Sequence, residues 1–328
     1  MSFATEFPRR HWFRLSVVSI ALLPLAALFA LIVAVRRFAF RRGWFRSVRL
    51  PVPVMVVGNI VIGGTGKTPL VIWLAREMAR RGWTPGIVSR GYGRASETAE
   101  AVSPDGDPER FGDEPLLLAA KSGCPVWVGR DRARAARALL AANPQCDVII
   151  LDDGLQHYRL ARDFEIAVQD ERGHGNGLML PAGPLREPAS RRVDALVING
   201  GTGEGGAFAM RLVPSTIHSL DGSRSDAPQA FSGRRVHAVA GIGNPDRFFA
   251  TLAALGMNVV PHPFPDHHRF CAEDLAFGDG DPVLMTEKDA VKCIRLGGRG
   301  WSALAVEAEI DTRLADLVEE KLRGSPTA

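Results

Sequence analysis

The chain has 328 residues, a length typical of about two domains, and a net charge of +4 at pH 7. The charge is unevenly divided, because residues 1–50 hold nine arginines and one acid, a balance of +8, and the remainder carries −4. This distribution argues against broad nucleic-acid binding by the globular part. The four cysteines form no Cys-x-x-Cys pair, which argues against a zinc ribbon or a disulfide framework and indicates a reducing compartment.

An apolar segment of 21 residues, 15–35, comes first in the chain and is interrupted only by Ser16, Ser19 and Pro24. As a helix it would extend about 31 Å, roughly one hydrocarbon core. Six arginines follow it and three precede it, so the positive-inside rule predicts a cytoplasmic body. Two forms of membrane association stay open: a full span, or insertion into one leaflet with Pro24 as the bend. No Ala-x-Ala site ends the segment, which argues against a secretory signal.

Residues 54–69 consist of a β-branched run, a glycine-rich turn and the start of a helical pattern. This context predicts a P-loop, in which backbone N–H groups and a helix N-terminus hold phosphate. We expect Lys67 to reach the β- and γ-phosphates and Thr68 to ligate Mg²⁺ through its hydroxyl. Val61 stands where the usual pattern has a glycine, so the turn must be entered differently. The predicted phosphate-binding residues are Gly63, Gly64, Thr65, Gly66, Lys67 and Thr68.

From residue 51 onward, short β-rich runs alternate with helical patterns, which predicts an α/β fold with a P-loop NTPase-type, mostly parallel sheet flanked by helices. We expect an N-terminal membrane-associated helix at 1–50, a P-loop domain at 51–215 and a second, smaller α/β domain at 216–328 that closes over the site. Predicted strands lie at 54–57, 85–88, 126–128, 148–151, 165–168, 195–198, 236–240, 257–260, 282–285 and 302–306. Predicted helices lie at 68–81, 115–120, 131–142, 246–255 and 311–322.

Acidic and histidine clusters supply further candidate chemistry. Asp152 and Asp153 end a buried-type strand, where a carboxylate beside a P-loop positions Mg²⁺. Asp113 and Glu114 precede an apolar helix, and a helix cap explains them equally well. The cluster at 264–270 is either a metal site or a surface loop with two histidines. The charged turns at 185–188 and 286–289 have alternative roles as helix caps and salt bridges.

Seven short motifs occur in order along the chain, and together they resemble the tetraacyldisaccharide 4′-kinase family, the lipid A 4′-kinases of Gram-negative bacteria. The resemblance runs from the apolar arm to about residue 292, and the P-loop entry with Val61 is also what the family shows. The motifs are Gly-Gly-Thr-Gly-Lys-Thr-Pro at 63–69, Ser-Arg-Gly-Tyr-Gly at 89–93, Gly-Asp-Glu-Pro at 112–115, Leu-Asp-Asp-Gly-Leu-Gln-His at 151–157, Leu-Arg-Glu-Pro at 185–188, Asp-His-His at 266–268 and Thr-Glu-Lys-Asp-Ala at 286–290.

The resemblance implies ATP-dependent phosphorylation of the 4′-hydroxyl of a tetraacylated glucosamine disaccharide 1-phosphate, with ATP and Mg²⁺ as cofactors. It also implies a catalytic pairing of Asp113 with His267, preferred over His268, in which a carboxylate backed by an imidazole accepts the hydroxyl proton. Asp152 and Asp153 are carried over as Mg²⁺ ligands. The remaining residues expected to line the site are Asn59, Tyr92, Glu114, Arg130, Gln156, His157, Arg186 and Glu187.

The implied substrate gives the apolar arm a purpose. Each buried CH₂ contributes about 0.8 kcal/mol, so a lipid with four acyl chains stays in the bilayer and the enzyme must come to it. The expected partners are therefore the acylated disaccharide lipid and the inner leaflet of the bacterial inner membrane, with the catalytic domains on the cytoplasmic side. No nucleic acid and no obligate protein partner is expected.

Two other classes of protein are weighed against this one. A membrane-tethered P-loop regulatory NTPase is the principal alternative, but the nearest match to a guanine-reading Asn-Lys-x-Asp element, at 286–289, has the wrong spacing. A transporter signature such as Leu-Ser-Gly-Gly-Gln does not occur in the sequence. A non-catalytic membrane scaffold is disfavoured by the intact Gly66-Lys67-Thr68 together with Asp152.

Overall fold

The computed structural model describes residues 11–91, 98–298 and 300–324. Its strands are β1 (Val54–Gly58), β2 (Pro85–Ser89), β3 (Glu100–Ala101), β4 (Val126–Val128), β5 (Val148–Asp152), β6 (Phe164–Asp170), β7 (Ala195–Asn199), β8 (Phe208–Ser219), β9 (Ser225–Asp226), β10 (Arg235–Ala240), β11 (Asn258–Pro263), β12 (Val283–Thr286) and β13 (Trp301–Ile310). Its helices are α1 (Val17–Ala21), α2 (Leu23–Arg41), α3 (Lys67–Arg80), α4 (Pro108–Phe111), α5 (Asp113–Ser122), α6 (Arg132–Ala142), α7 (Pro245–Ala254), α8 (Glu287–Cys293) and α9 (Arg313–Arg323).

The predicted fold class is confirmed: a mostly parallel sheet is flanked by helices and preceded by an apolar helix. Every strand and helix predicted after residue 50 is present, with ends displaced by a few residues. The sequence reading missed β8, a strand of 12 residues, because Pro214 interrupts it and few of its side chains are buried. It also took α8 for a charged turn. The predicted division at residue 215 falls inside β8 and stays a prediction.

All the strands belong to one sheet, in the order β11-β10-β12-β13-β8-β7-β6-β1-β5-β2-β4-β3, with β9 beside β8. The strands β2, β4, β5, β6, β7 and β8 are parallel to β1, and β10, β11, β12 and β13 are parallel to one another. The two short strands β3 and β9 are antiparallel to β4 and β8. The two sets meet at the antiparallel pair β8 and β13. The sheet therefore consists of two parallel sets that run in opposite directions.

The long pair β8 and β13 makes the carboxyl ends of the two sets face each other. Asn199 at the end of β7 lies beside Met210, and Thr286 at the end of β12 lies beside Leu304, which pairs with Ile217. Seven residues of β8 separate these two levels, about 23 Å of strand. Because ligands bind at the carboxyl ends of parallel strands, this gap is where a shared site is expected.

Helices cover both faces of each set, which explains why the strands are apolar on both sides. Met55 and Val57 of β1 pack in the cluster that contains α3, α5 and α9, whereas Val54 and Val56 pack in the cluster that contains α6. In the second set, α7 packs on one face and α8 on the other. The continuous hydrophobic runs noted in the sequence are therefore buried strands.

The predicted apolar segment is two helices, α1 and α2, separated at Leu22. Pro24 lies in the first turn of α2, where a residue without an N–H is tolerated, so the interruption is not at the proline. Within the described part of the chain, α2 is the one helix long and apolar enough to cross a membrane. Among the residues that the structure describes, 12 of the 15 exposed large hydrophobic side chains lie between Leu15 and Phe45, which leaves an apolar face without protein cover.

Candidate active site

The P-loop lies between β1 and α3, and it requires glycine at position 66 because a side chain there would collide with a neighbour. Gly66 has φ +94°, and a Cβ there would lie 2.5 Å from Nδ2 of Asn199. The loop is held by side-chain amides: Nδ2 of Asn59 donates to the Gly63 carbonyl at 3.1 Å, and Nδ2 of Asn199 donates to the Thr65 carbonyl at 3.1 Å. The carbonyls are thus held by amides of the protein, which leaves the loop N–H groups to face a phosphate.

The loop is entered through a bridge to another segment, which explains the valine at position 61. Val61 is buried and forms an isolated bridge with Leu185. On either side, the Ile62 N–H donates to Pro184 and the Arg186 N–H donates to Ile60. An extended, β-branched residue suits this pairing better than glycine does.

The bridge between Val61 and Leu185 also places Arg186 in the site. Nη1 and Nη2 of Arg186 lie 3.0 and 3.2 Å from the carboxylate of Asp153, and Nζ of Lys67 lies 3.7 Å from it. Burial would raise the pKa of Asp153, but the charges of Lys67 and Arg186 outweigh it and hold the pKa at about 2. Asp153 is therefore ionised and fixed beside the P-loop lysine.

Asp152 has a different environment from its neighbour. It is buried, and its Oδ2 accepts a hydrogen bond from Ser89 Oγ at 2.9 Å, whereas its Oδ1 has no hydrogen-bond partner among the described residues. Burial, together with the negative charges of Glu114 and Asp153, raises the pKa of Asp152. A buried carboxylate oxygen without a partner is the type of donor that Mg²⁺ prefers, and Asp152 lines the same cleft as Thr68 and Asp153, so these residues fit the metal.

Across the cleft, His267 Nδ1 donates to Asp113 Oδ2 at 3.0 Å. His268 instead contacts Asp274, at 2.9 Å. The hydrogen bond to Asp113 raises the pKa of His267 despite its partial burial. Burial would raise the pKa of Asp113, but His267 and Lys288 reverse the effect and lower it. The pair is therefore stabilised as carboxylate and imidazolium.

Backbone strain coincides with both halves of the site. Asp153 and His267, at φ +47° and +60°, are the non-glycine residues with positive φ in the described ranges. Such conformations are unfavourable and tend to persist at functional sites, where the surrounding contacts enforce them. Asp153 directly follows β5 and His267 lies in the loop after β11, so one strained residue follows a strand of each parallel set.

A cleft of about 1050 Å³ joins these groups. Its floor includes residues of β8 and β13, as the facing carboxyl ends require. Asp113 lies behind His267 and is only 6% exposed. The predicted residues that line the cleft are Asn59, Gly63, Gly64, Thr65, Gly66, Lys67, Thr68, Glu114, Asp152, Asp153, Arg186 and His267.

The other predicted lining residues lie elsewhere. Gln156 supports the site indirectly, since its amide donates to the Asn59 carbonyl at 3.1 Å. His157 is half-buried, and burial lowers its pKa to about 4. Glu187 is buried in a network with Tyr158 and Arg191, and Arg130 is exposed outside the cleft lining. Tyr92 lies outside the described residues.

Several cleft residues were not assigned to the site from the sequence, although Asp266 and Lys288 stand in two of the quoted motifs. Arg247 Nη2 donates to Asn199 Oδ1 at 2.9 Å, so the second parallel set supports the P-loop through Asn199. Lys288 and Asp266 also line the cleft. Asn199 directly follows a predicted strand, as Asp152 does, so its position could have indicated a residue of the site. Arg247 lies in a predicted helix, and nothing in the local sequence distinguishes it.

A P-loop phosphotransferase binds the donor phosphates in a glycine-rich loop and carries, in the same cleft, a group that accepts the proton of the acceptor hydroxyl. The fold and the site place this chain in that class. A family model described as Tetraacyldisaccharide-1-P 4′-kinase matches residues 18–323. The chain belongs to this family. The family predicted from the seven motifs is confirmed, and with it the enzyme class, a kinase.

Individual relatives agree with the family model. The chain is 53% identical to the tetraacyldisaccharide 4′-kinase of Aromatoleum aromaticum, over 97% of this chain and 98% of the relative. It is 54% identical to that of Alkalilimnicola ehrlichii, over 92% of each chain. Its fold matches the crystal structure of LpxK from Aquifex aeolicus in complex with ATP, with a TM-score of 0.79 and 31% identity over 93% of this chain and 100% of the other.

Proposed function

We propose that this kinase transfers the γ-phosphoryl group of ATP to the 4′-hydroxyl of a tetraacylated glucosamine disaccharide 1-phosphate, the phosphorylation that leads to lipid A. The observation that carries the proposal is that His267, 3.0 Å from the buried carboxylate of Asp113, lines the same cleft as Lys67 and the P-loop. An acceptor hydroxyl in that cleft lies between a proton acceptor and a phosphoryl donor. The family and its named relatives support this choice of acceptor.

The phosphate side of the reaction is assigned to the P-loop. The N–H groups from Gly63 to Thr68 and the N-terminus of α3 hold the phosphates, and Lys67 balances their charge. Thr68, Asp152 and Asp153 would hold Mg²⁺, which when bound neutralises charge on the β- and γ-phosphate oxygens. Arg186 keeps Asp153 in place, and Asn59 links Arg186 to the loop through its Oδ1 at 2.9 Å.

The acceptor side is assigned to the Asp113–His267 pair. His267 lines the cleft, whereas Asp113 is buried behind it and accepts its Nδ1–H. The buried carboxylate therefore orients the imidazole and stabilises the charge that forms on it, so we assign proton acceptance to His267 and not to the carboxylate implied by the resemblance. Above its raised pKa His267 is neutral with its proton on Nδ1, and the opposite edge of the ring, at Nε2, takes the hydroxyl proton as the phosphoryl group moves. Closure of the C-terminal domain at 216–328 over the site would bring the pair to the acceptor only when both substrates are bound.

The membrane arm brings the enzyme to its lipid. The uncovered apolar side chains of α1 and α2 support insertion into the inner leaflet of the inner membrane, with the catalytic body on the cytoplasmic side. The arm is fixed to the body: Trp12 Nε1 donates to the Pro181 carbonyl at 3.0 Å, and the rings of Phe40 and Tyr158 lie 5.7 Å apart. Insertion therefore also sets the distance of the cleft from the bilayer.

The deciding experiment incubates the full chain with γ-labelled ATP, Mg²⁺ and detergent-dispersed acceptor. The lipid disaccharide 1-phosphate should become labelled, and the same lipid with its 4′-hydroxyl already phosphorylated should not, since the acceptor hydroxyl is missing. Label in both lipids would contradict the assigned position. Phosphate release that is independent of lipid would favour the regulatory NTPase instead.

A further inference from the structure

Lys288 lies in the first turn of α8 and is surrounded by carboxylates. Its Nζ is 3.1 Å from Glu114 Oε1, 3.3 Å from Asp266 Oδ1 and 3.9 Å from Asp113 Oδ2. Its side chain is only 18% exposed and lines the cleft. Because all three partners are acids at the acceptor side of the site, Lys288 is the centre of the charge arrangement there.

The backbone under Lys288 is firmly anchored. Thr286 caps α8 by accepting the Asp289 N–H at 3.1 Å, and its hydroxyl donates to Asp289 Oδ2 at 2.6 Å. Asp289 is fully buried and also accepts the Gly241 N–H at 3.0 Å. Gly241 in turn accepts the His267 N–H at 3.3 Å. One buried carboxylate thus fixes both the helix that carries Lys288 and the loop that carries His267.

The three acids come from two different parts of the chain. Asp113 and Glu114 begin α5 in the P-loop half, whereas Asp266 precedes His267 in the other half. Without a cation between them, these carboxylates would repel one another across the junction on which the Asp113–His267 contact depends. Lys288 Nζ is also close to the same oxygen, Asp113 Oδ2, that accepts from His267.

We infer that Lys288 is a positioning residue for the phosphoryl transfer, one that holds Glu114, Asp266 and the Asp113–His267 pair in their working arrangement across the cleft. The inference rests on the proposed function, because it concerns the proton-accepting pair of that reaction. It gives a role to the Thr-Glu-Lys-Asp stretch, whose residues read in sequence as helix caps and salt bridges.

The charge of Lys288 has a signed consequence for the pH profile. His267 faces Asp113, Asp266 and Lys288, and Asp113 faces His267, Lys288 and Lys292. Removing the positive charge of Lys288 favours the protonated form of both members of the pair. The unprotonated acceptor then appears only at higher pH, so the acidic limb of kcat/KM should move toward alkaline pH.

The test compares Lys288→Met, which keeps length and loses charge, with Lys288→Arg, which restores the charge. We expect kcat to fall by about tenfold to a hundredfold in Lys288→Met, less than for loss of the base itself, with the acidic limb displaced to higher pH. Lys288→Arg should return the limb to its native position. Arg295→Met is the matched control. Arg295 also links the two halves, since its Nη1 lies 3.6 Å from Asp107, but it lies outside the cleft lining. The activity and the acidic limb of this variant should therefore stay native.

A loss of activity in Lys288→Met with an unmoved acidic limb, or the same loss in Lys288→Arg, would overturn the positioning role and leave a structural one. Thermal unfolding of each variant checks that the chain is folded during the assay. Failure of the proposed function is distinguishable, because then the native chain itself would not label the lipid disaccharide 1-phosphate. Failure of the assigned pair is distinguishable as well, because then His267→Gln and Asp113→Asn would retain transfer. If those two variants are inactive while Lys288→Met has native kcat and a native acidic limb, the positioning role of Lys288 is wrong and the proposed function stands.

Discussion

The two sides of the cleft are built in different ways. The phosphate side is almost contiguous, since Gly63 to Gly66 lie in the loop after β1 and Lys67 and Thr68 are the first residues of α3. The acceptor side is assembled from α5 and from two segments more than 150 residues further along the chain, the loop before His268 and α8. A contiguous side can be recognised from a motif, whereas an assembled side depends on how the halves of the sheet meet.

The two sides nevertheless use the same electrostatic device. Asp153 is held ionised by Lys67 and Arg186, and Asp113 is held ionised by His267 and Lys288. In both cases burial opposes the charge and neighbouring cations overcome it. Substitutions on the two sides should therefore impair different steps of the reaction. Those on the phosphate side should weaken ATP binding, and those on the acceptor side should impair proton acceptance.

The largest effect is expected at the acceptor side. Asp113→Asn and His267→Gln should each lower kcat by about 10²- to 10⁴-fold, the usual contribution of a general base, while ATP binding stays native. The measurements are transfer of label to lipid and ATP binding by calorimetry. His268→Gln is the control, because that histidine contacts Asp274 and should lose little activity. Near-native transfer in folded Asp113→Asn would remove the assigned pair.

Lys67→Met tests the phosphate side and should lower kcat by about 10²- to 10³-fold, as expected when one preorganised donor to the transferred group is lost. ATP binding should weaken as well, unlike in the acceptor-side variants. Arg323→Met, in α9, should leave both quantities native since Arg323 pairs with Glu319 at the surface and lies outside the cleft lining. Unchanged ATP affinity in Lys67→Met would contradict the assigned contact.

Gly66→Ala separates steric conflict from backbone strain at the phosphate side. Gly66 and Gly82 both have positive φ, but a Cβ on Gly82 meets nothing within 4 Å, whereas one on Gly66 meets Asn199 at 2.5 Å. Gly82→Ala should lower the free energy of unfolding by about 1–2 kcal/mol through strain alone. Gly66→Ala should lower it further, as measured by urea denaturation. Equal losses would mean that the contact with Asn199 does not restrict the loop.

The smallest change is a displacement of the pH profile. The hydrogen bond to Asp113 raises the pKa of His267, so the neutral imidazole is reached only above that raised value. Asp113→Asn removes the negative charge, lowers the pKa and should move the acidic limb of the residual kcat/KM to lower pH. This direction is opposite to that expected for Lys288→Met. A limb that moves the same way in both variants would contradict the charge arrangement described above.

The sequence by itself determined the fold class, the P-loop, the buried strands and the family. These follow from local physical requirements: glycines that allow a loop to surround phosphate, aliphatic runs that can only be buried, and an apolar segment with arginines on both flanks. The seven motifs even indicated Asp113 and His267, but only as a resemblance, because nothing local connects two residues 154 positions apart.

The tertiary structure decided how those parts meet. β8 has no clear periodicity, yet its antiparallel pairing with β13 turns the carboxyl ends of the two strand sets toward each other. That reversal brings α8 against α5, so that Lys288 falls among three acids. Glu187 is held outside the cleft by its contacts with Tyr158 and Arg191. Charge partners and burial are properties of contacts between distant segments, which no local pattern encodes.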